Sequence, residues 1–232
     1  MLVSGGVDST VVYALLEKTL KKNQVIGLHI DSGLMRKGES KQVVETLKKT
    51  GFKNLNIVNA EDEFLNNLKG VADPEKKRRI IGETYLAVAE RFLMKTQSKE
   101  KSSHWLLGQG TIYPDTIESG GTKAAHIIKT HHNRIPKIQE MIKKNQVIEP
   151  LKDFYKDEVR TIGRELKIPA KLLHRRPFPG PGLGIMILCS QKNIRIPRLA
   201  LPNNTNILPI KSTGVQGDQR SYAYTTAIWG ET

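Results

Sequence analysis

Six residues near the start of the chain, Ser4-Gly5-Gly6-Val7-Asp8-Ser9, combine two glycines, two hydroxyls and one carboxylate between an apolar stretch and a helical pattern. A turn of this kind at the start of a helix presents backbone N–H groups and the positive end of the helix dipole, which together bind anions. Gly5 and Gly6 allow a tight turn and close approach of a phosphate, and Ser4, Ser9 and Thr10 add hydroxyl donors. The Gly-Lys-Ser/Thr ending of the ordinary phosphate loop is absent. Asp8 stands where a bare carboxylate would repel phosphate, which makes chemical sense if it holds Mg²⁺ bridging the phosphate oxygens. The same residues also suit an ordinary helix-capping turn.

Other residues offer chemistry with less specificity. Arg78, close to a helix start, can donate a fork of hydrogen bonds to a phosphate, or can be one solvated charge in a Lys/Arg run. Lys129, in a polar stretch, can supply positive charge to a transition state, or can be one surface lysine among many. His131 and His132 are adjacent and would point apart on a helix or strand, so a metal pair is not expected. Gly180 and Gly182 permit backbone amides to approach a ligand, or form a plain hinge. Asp218 in a Gly-Asp turn can accept hydrogen bonds from a purine N–H or a ribose hydroxyl, or can cap a bend.

The elements that must position these groups follow from apolar spacing. Residues 1–3 read as the end of a buried strand, and residues 10–20 as a helix with Val11, Val12, Leu15, Leu16 and Leu20 on one side. Residues 25–30 predict a strand, 40–50 a helix closed by Gly51, 55–58 a strand, 75–94 a helix with Pro74 in its first turn, and 105–107 a strand. Strands alternating with helices predict a doubly wound α/β fold, a parallel sheet with ligands at the carboxyl ends of its strands. Residues 111–133 lack clear periodicity and read as a lid loop. Residues 152–166 return to helical spacing, 177–181 form a Pro/Gly knot, 185–188 predict a strand, and 192–206 resemble a linker.

Composition narrows the class. With 38% hydrophobic and 26% charged residues the 232-residue chain reads as folded, and no apolar run reaches the roughly 20 residues of a membrane span. The single cysteine, Cys189, excludes an intrachain disulfide framework and reads as a buried structural thiol, which together predict a cytosolic protein. A net charge of +14 favours anionic partners, but aromatic residues are only 6% and do not interleave with the basic runs, which argues against a nucleic-acid platform.

The six-residue turn resembles the pyrophosphate-binding loop of the ATP-pyrophosphatase (adenine nucleotide alpha hydrolase-like) superfamily. Further segments resemble one branch of it, the GMP synthetases: His29-Ile30-Asp31-Ser32-Gly33-Leu34-Met35-Arg36-Lys37, Asp73-Pro74-Glu75-Lys76-Lys77-Arg78-Arg79-Ile80-Ile81-Gly82, Gly108-Gln109-Gly110-Thr111-Ile112-Tyr113-Pro114-Asp115 with Ile117-Glu118-Ser119, Ile128-Lys129-Thr130-His131-His132-Asn133, Arg176-Pro177-Phe178-Pro179-Gly180-Pro181-Gly182-Leu183 and Gly217-Asp218-Gln219-Arg220-Ser221-Tyr222. The resemblance implies an ATP-dependent amination of XMP to GMP through an adenylyl-XMP intermediate. ATP would lie on Ser4, Gly5, Gly6, Val7, Asp8, Ser9, Thr10, His29, Ile30 and Gly108. XMP would lie on Arg78, Pro179, Gly180, Pro181, Gly182 and Asp218. Asp8 with Mg²⁺, and Lys129, would serve the chemistry. It also implies residues 1–183 as the nucleotide domain, residues 184–232 as a partial α+β XMP-binding and dimerisation domain, a homodimer, and ammonia from a glutamine amidotransferase. That amidotransferase is not in this chain, and Cys189 lacks a nucleophile's glycine-flanked setting. The family's C-terminal segments are missing and an apolar stretch, Gly184-Ile185-Met186-Ile187, replaces a basic one, so a truncated chain and poor activity by itself are expected.

Overall fold

The computed structural model describes residues 1–21, 24–52, 54–97, 105–118, 136–175, 178, 180–189, 204–216 and 219–229. Its centre is a parallel sheet. Strand β1 (Gly27–Asp31) pairs with β2 (Leu55–Asn59), with Gly27 opposite Leu55 and Asp31 opposite Asn59. On the other edge of β1, the first residues of the chain form a parallel bridge, Leu2 to Leu28, in which the Val3 N–H donates to Leu28 O at 2.9 Å. Strands β3 (Leu107–Gly108) and β4 (Val147–Ile148) are also parallel, and Gly108 packs against Met1.

Two apolar cores cover the two faces, as a doubly wound sheet requires. On one face, helices α1 (Val7–Thr19), α2 (Glu39–Lys49), α7 (Lys156–Glu165) and α8 (Ala170–Leu173) enclose Val11, Val12, Tyr13, Leu47, Leu151 and Val159. On the other, α3 (Glu61–Leu68) and α4 (Pro74–Gln97) close over Leu28, Ile30, Phe64, Ile81 and Val88. Strand β1 is buried along its length because it lies between these layers, so its sequence reads as a run and not as an alternation. The short α5 (Tyr113–Glu118) and α6 (Pro136–Lys143) follow β3. Strands β5 (Thr205–Gln216) and β6 (Gln219–Ile228) form a separate antiparallel hairpin. Among the described residues no helix is long and apolar enough to cross a membrane.

Several sequence expectations need correction. The first helix starts at Val7, not at residue 10, with Gly6 as its N-cap. The apolar run 185–188 is not a strand: α9 (Leu183–Met186) forms, and Ile187 and Leu188 stay exposed. The chain there is held by Leu183 N–H donating to Leu34 O at 2.7 Å. Cys189 is accordingly half-buried and takes a hydrogen bond from Lys77 Nζ at 3.0 Å, in place of the buried thiol expected. The start of the predicted lid is packed structure. Thr111 and Ile112 are buried, and α5 follows. The helix expected at 152–166 begins at Lys156, where the Tyr155 N–H donates to Glu158 Oε2 at 2.7 Å. Thr205, inside the expected linker, opens β5. Residues 119–133 of the lid and 192–203 of the linker lie outside the described residues.

Candidate functional site

A pocket of about 340 Å³ opens at the carboxyl ends of the strands. Its floor is the turn after Val3. The helix that follows has Gly6 as N-cap, a residue with no side chain to cap it. Ser4 Oγ accepts the Gly6 N–H at 3.2 Å and lies 3.1 Å from Ser9 Oγ, which in turn donates to Gly6 O at 3.1 Å. The hydroxyls therefore brace the turn from within.

The carboxylate of Asp8 sits in the second helical position and faces the pocket. Lys156 Nζ, from the start of α7, contacts both of its oxygens at 2.7 and 2.6 Å. Burial nevertheless pushes the Asp8 carboxyl above its ordinary range, against the pull of Lys156 and with help from nearby Asp115. Lys156, Arg160 and Arg175 give the pocket three cations around two carboxylates, Asp8 and Asp115. That balance suits an anionic ligand. Among the described residues no cluster of three His, Cys, Asp or Glu side chains is able to hold a metal alone. The donor set fits a hard cation that takes one or two carboxylates and completes its shell with phosphate oxygens and water.

The inner wall is half apolar. His29 is 1% exposed, and its Nδ1 lies 2.8 Å from Val3 O. A carbonyl only accepts, so Nδ1 carries the proton, and Nε2 is a buried acceptor with no partner among the described residues. Gln109 Oε1 is a second such acceptor on the same wall. Tyr85 closes the side and donates to Ser32 Oγ at 3.1 Å.

His29 makes a testable contribution to stability. Burial lowers its pKa below the ordinary 6.5. The unfolded chain therefore takes up a proton as the pH falls through about 6.5 while the folded chain does not, and stability drops from there downward. His29→Asn keeps a donor for Val3 O and removes the titration. Its urea midpoint is expected to fall less than that of the parent between about pH 7 and about pH 5. Identical slopes in the two proteins would assign the pH dependence to other groups.

Of the residues singled out for the nucleotide, Ser4, Gly6, Val7, Asp8, Ser9, His29, Ile30 and Gly108 line the pocket. Gly5 and Thr10 lie behind it, Thr10 with its hydroxyl buried and unpaired. Of those assigned to a second nucleotide, Gly180 lines the same pocket. Arg78 projects from α4 and pairs with Glu75. Pro181 and Gly182 are not part of the lining. Lys129, Pro179 and Asp218 lie outside the described residues. Sequence reasoning missed Lys156, Gln109 and Arg175. Gln109 and Arg175 sit in or next to quoted segments. Lys156, 148 positions from Asp8, carries no local signal of its partner.

A glycine turn with an acidic second helical residue, between a parallel bridge to β1 and the start of α1, is the kind of place where α/β domains bind ligands. Residues 1–139 match the NAD synthase family, more than half of the chain, and the chain belongs to that family. It is 48% identical to a probable GMP synthase [glutamine-hydrolyzing] of Leptospira interrogans, over 96% of this chain and 38% of that protein. It is 42% identical to the GMP synthases [glutamine-hydrolyzing] of Fusobacterium nucleatum and Kluyveromyces lactis, in each case over 97% of this chain and 46% of the relative. The chain thus spans less than half the length of these relatives. A solved NMN synthetase from Francisella tularensis superposes with a TM-score of 0.48 at 14% identity, over 79% of this chain and 67% of that one.

Proposed function

We propose that this chain is the ATP-pyrophosphatase part of a GMP synthase. The observation that carries the reading is the 42–48% identity to GMP synthases over nearly the whole chain. The pocket supports it chemically. ATP would enter with its phosphates on the turn 4–10 and its base toward His29, Ile30 and Gly108. Asp8 would hold a Mg²⁺ ion brought in by the phosphates, which supplies Lewis-acid charge neutralisation when bound. Asp8 would leave Lys156 to do so, and Lys156 would then be a free cation beside the phosphates.

The reaction proposed has two steps. The O2 oxygen of XMP attacks the α-phosphorus of ATP. A P–O bond forms, the bond to the β-phosphate oxygen breaks, and pyrophosphate leaves with adenylyl-XMP remaining. Ammonia then attacks C2, AMP departs with the C2–O electron pair, and GMP results. Helix-start amides and Lys156 would stabilise the pyrophosphate as charge builds on it, with Lys129 doing so at the α-phosphate. The rest of the expected lid, residues 119–133, would exclude water from the activated intermediate. XMP would lie against Arg78, the segment 179–182 and Asp218. In this reading residues 1–183 form the nucleotide domain, and 184–232 part of the XMP-binding and dimerisation domain of a cytosolic homodimer. Ammonia would come from a glutamine amidotransferase domain or subunit, and neither nucleic acid nor membrane would be a partner.

The test is pyrophosphate release from Mg·ATP with and without XMP, at high ammonium. XMP-dependent release is expected, and release indifferent to XMP would remove the assignment. A sharper form uses Arg78→Ala. Arg78 is half-buried near the start of α4, and its guanidinium pairs with Glu75. The substitution should raise the KM for XMP at least about tenfold, roughly 1.4 kcal/mol of lost binding, and change that for ATP far less. Equal effects on both substrates would place Arg78 elsewhere in the mechanism.

A further inference from the structure

The nucleotide turn is also held from behind, by Arg175 and the carboxylate that anchors it. Gly5 has φ +78°, and a Cβ there would lie 2.5 Å from Val43 and 2.8 Å from the Arg175 guanidinium. Arg175 is that close because its Nη1 donates to the Gly5 carbonyl. Its Nη2 donates to Glu39, a carboxylate at the start of α2 that is 8% exposed. Glu39 is itself fixed. Oε2 accepts the Arg36 N–H at 3.1 Å, and Oε1 lies 3.3 Å from Arg36 Nη1. The Arg36 guanidinium sits 4.4 Å over the Phe178 ring, and Phe178 lines the pocket.

Peptide geometry turns this cluster into a device. The described peptides are trans, so the carbonyl of Gly5 and the N–H of Gly6 point in opposite directions across one rigid plane. With the carbonyl drawn to Arg175, the Gly6 N–H points the other way, toward Ser4 Oγ at the pocket floor. A glycine pair left alone would let this plane rotate at little cost.

We propose that Arg175 is a positioning residue: anchored by Glu39, it holds the Gly5 carbonyl so that the Gly6 N–H faces the pocket, and through Arg36 and Phe178 the same carboxylate links the nucleotide turn to the segment around residue 180. The proposal rests on reading the pocket as an ATP site. A rival role for Arg175 is direct contact with phosphate, since it also lines the pocket. Glu39 separates the two, because it does not reach the pocket. If Arg175 works by direct contact, freeing it from Glu39 leaves phosphate binding unchanged or tighter. If it works by positioning, losing Glu39 weakens binding in the same direction as losing Arg175.

The experiment uses the full chain with Glu39→Gln, Arg175→Lys and the double variant, each checked for a folded circular-dichroism spectrum. Glu39→Gln keeps size and removes the charge, and Arg175→Lys keeps charge but not the two-pronged reach. Mg·ATP affinity is measured by calorimetry, and hydrogen exchange is followed at the amides of residues 5–9 in the nucleotide-free chain. Each single variant is expected to weaken Mg·ATP by about tenfold and to speed Gly6 exchange, with the amides of α2 unchanged. The double variant is expected to be no worse than the weaker single, the mark of a shared device. Unchanged or tighter Mg·ATP binding in Glu39→Gln, or unchanged Gly6 exchange there, overturns the positioning role. A parent chain that binds no Mg·ATP overturns the ATP reading, and Gly6 exchange then reports on the clamp separately.

Discussion

Asp8→Asn is expected to lower Mg²⁺-dependent pyrophosphate release by at least about tenfold, about 1.4 kcal/mol in the barrier, while leaving the fold as stable as before or more so. The two effects have one cause. Asp8 pairs with Lys156 in a site where burial opposes its charge more than Lys156 favours it. Its folded pKa lies above the unfolded value, so the ionised group costs stability at neutral pH. That cost fades as the pH falls through the folded pKa and is gone below the unfolded one. Asparagine removes the cost, and Lys156, whose side chain is 35% exposed, can turn to solvent. The amide cannot replace a carboxylate on a divalent cation. Thermal unfolding at neutral and acidic pH, with pyrophosphate release alongside, checks both halves. A variant that releases pyrophosphate at the parent rate would take Asp8 out of the mechanism. One that simply unfolds would make Asp8 a structural residue.

Gly182→Ala is expected to be among the most damaging single substitutions in the described structure. Gly182 has φ +59°, and a Cβ there would lie 2.1 Å from the Leu34 carbonyl oxygen and 2.9 Å from its carbon. The obstacle is backbone, which cannot swing aside as a side-chain tip does. Adding a methyl there also costs the left-handed conformation, so a loss of at least about 2 kcal/mol is expected. The first bond to go is Leu183 N–H to Leu34 O, which fastens the segment around residue 180 to the loop after β1. Urea unfolding should show the lower midpoint. At temperatures where the variant stays folded, its KM for XMP should rise. An unchanged midpoint would show that this close approach is relaxed in solution.

These two residues show how differently parts of the site were legible. Asp8 was readable because its neighbours are contiguous: two glycines, two serines and the start of an apolar helix fit within ten residues. Gly182 was readable only as a glycine that admits a ligand or forms a hinge. In the structure the space is taken by Leu34, from a loop almost 150 positions earlier, and nothing local to either segment announces that contact. The missed helix α3 illustrates the same limit. Its eight residues bury Phe64 alone, too few apolar positions to produce a period. The apolar run 185–188 failed in the opposite sense, because strand-like composition becomes a strand only where its context allows.

The sequence by itself determined the alternation of strands and helices, the turn at residues 4–9 and the chemistry of its side chains, all encoded in spacings of a few residues. Tertiary structure decided which charges meet. Lys156 reaches Asp8 only because α7 packs against α1 on the same face of the sheet, bringing the start of one helix beside the start of the other. Arg175 reaches Gly5 and Glu39 from the residues that follow α8, which also packs on α1. Such pairs depend on how layers stack over a parallel sheet, and stacking is set by the whole core of Val11, Leu47, Leu151 and Val159 rather than by any stretch of sequence near the charges.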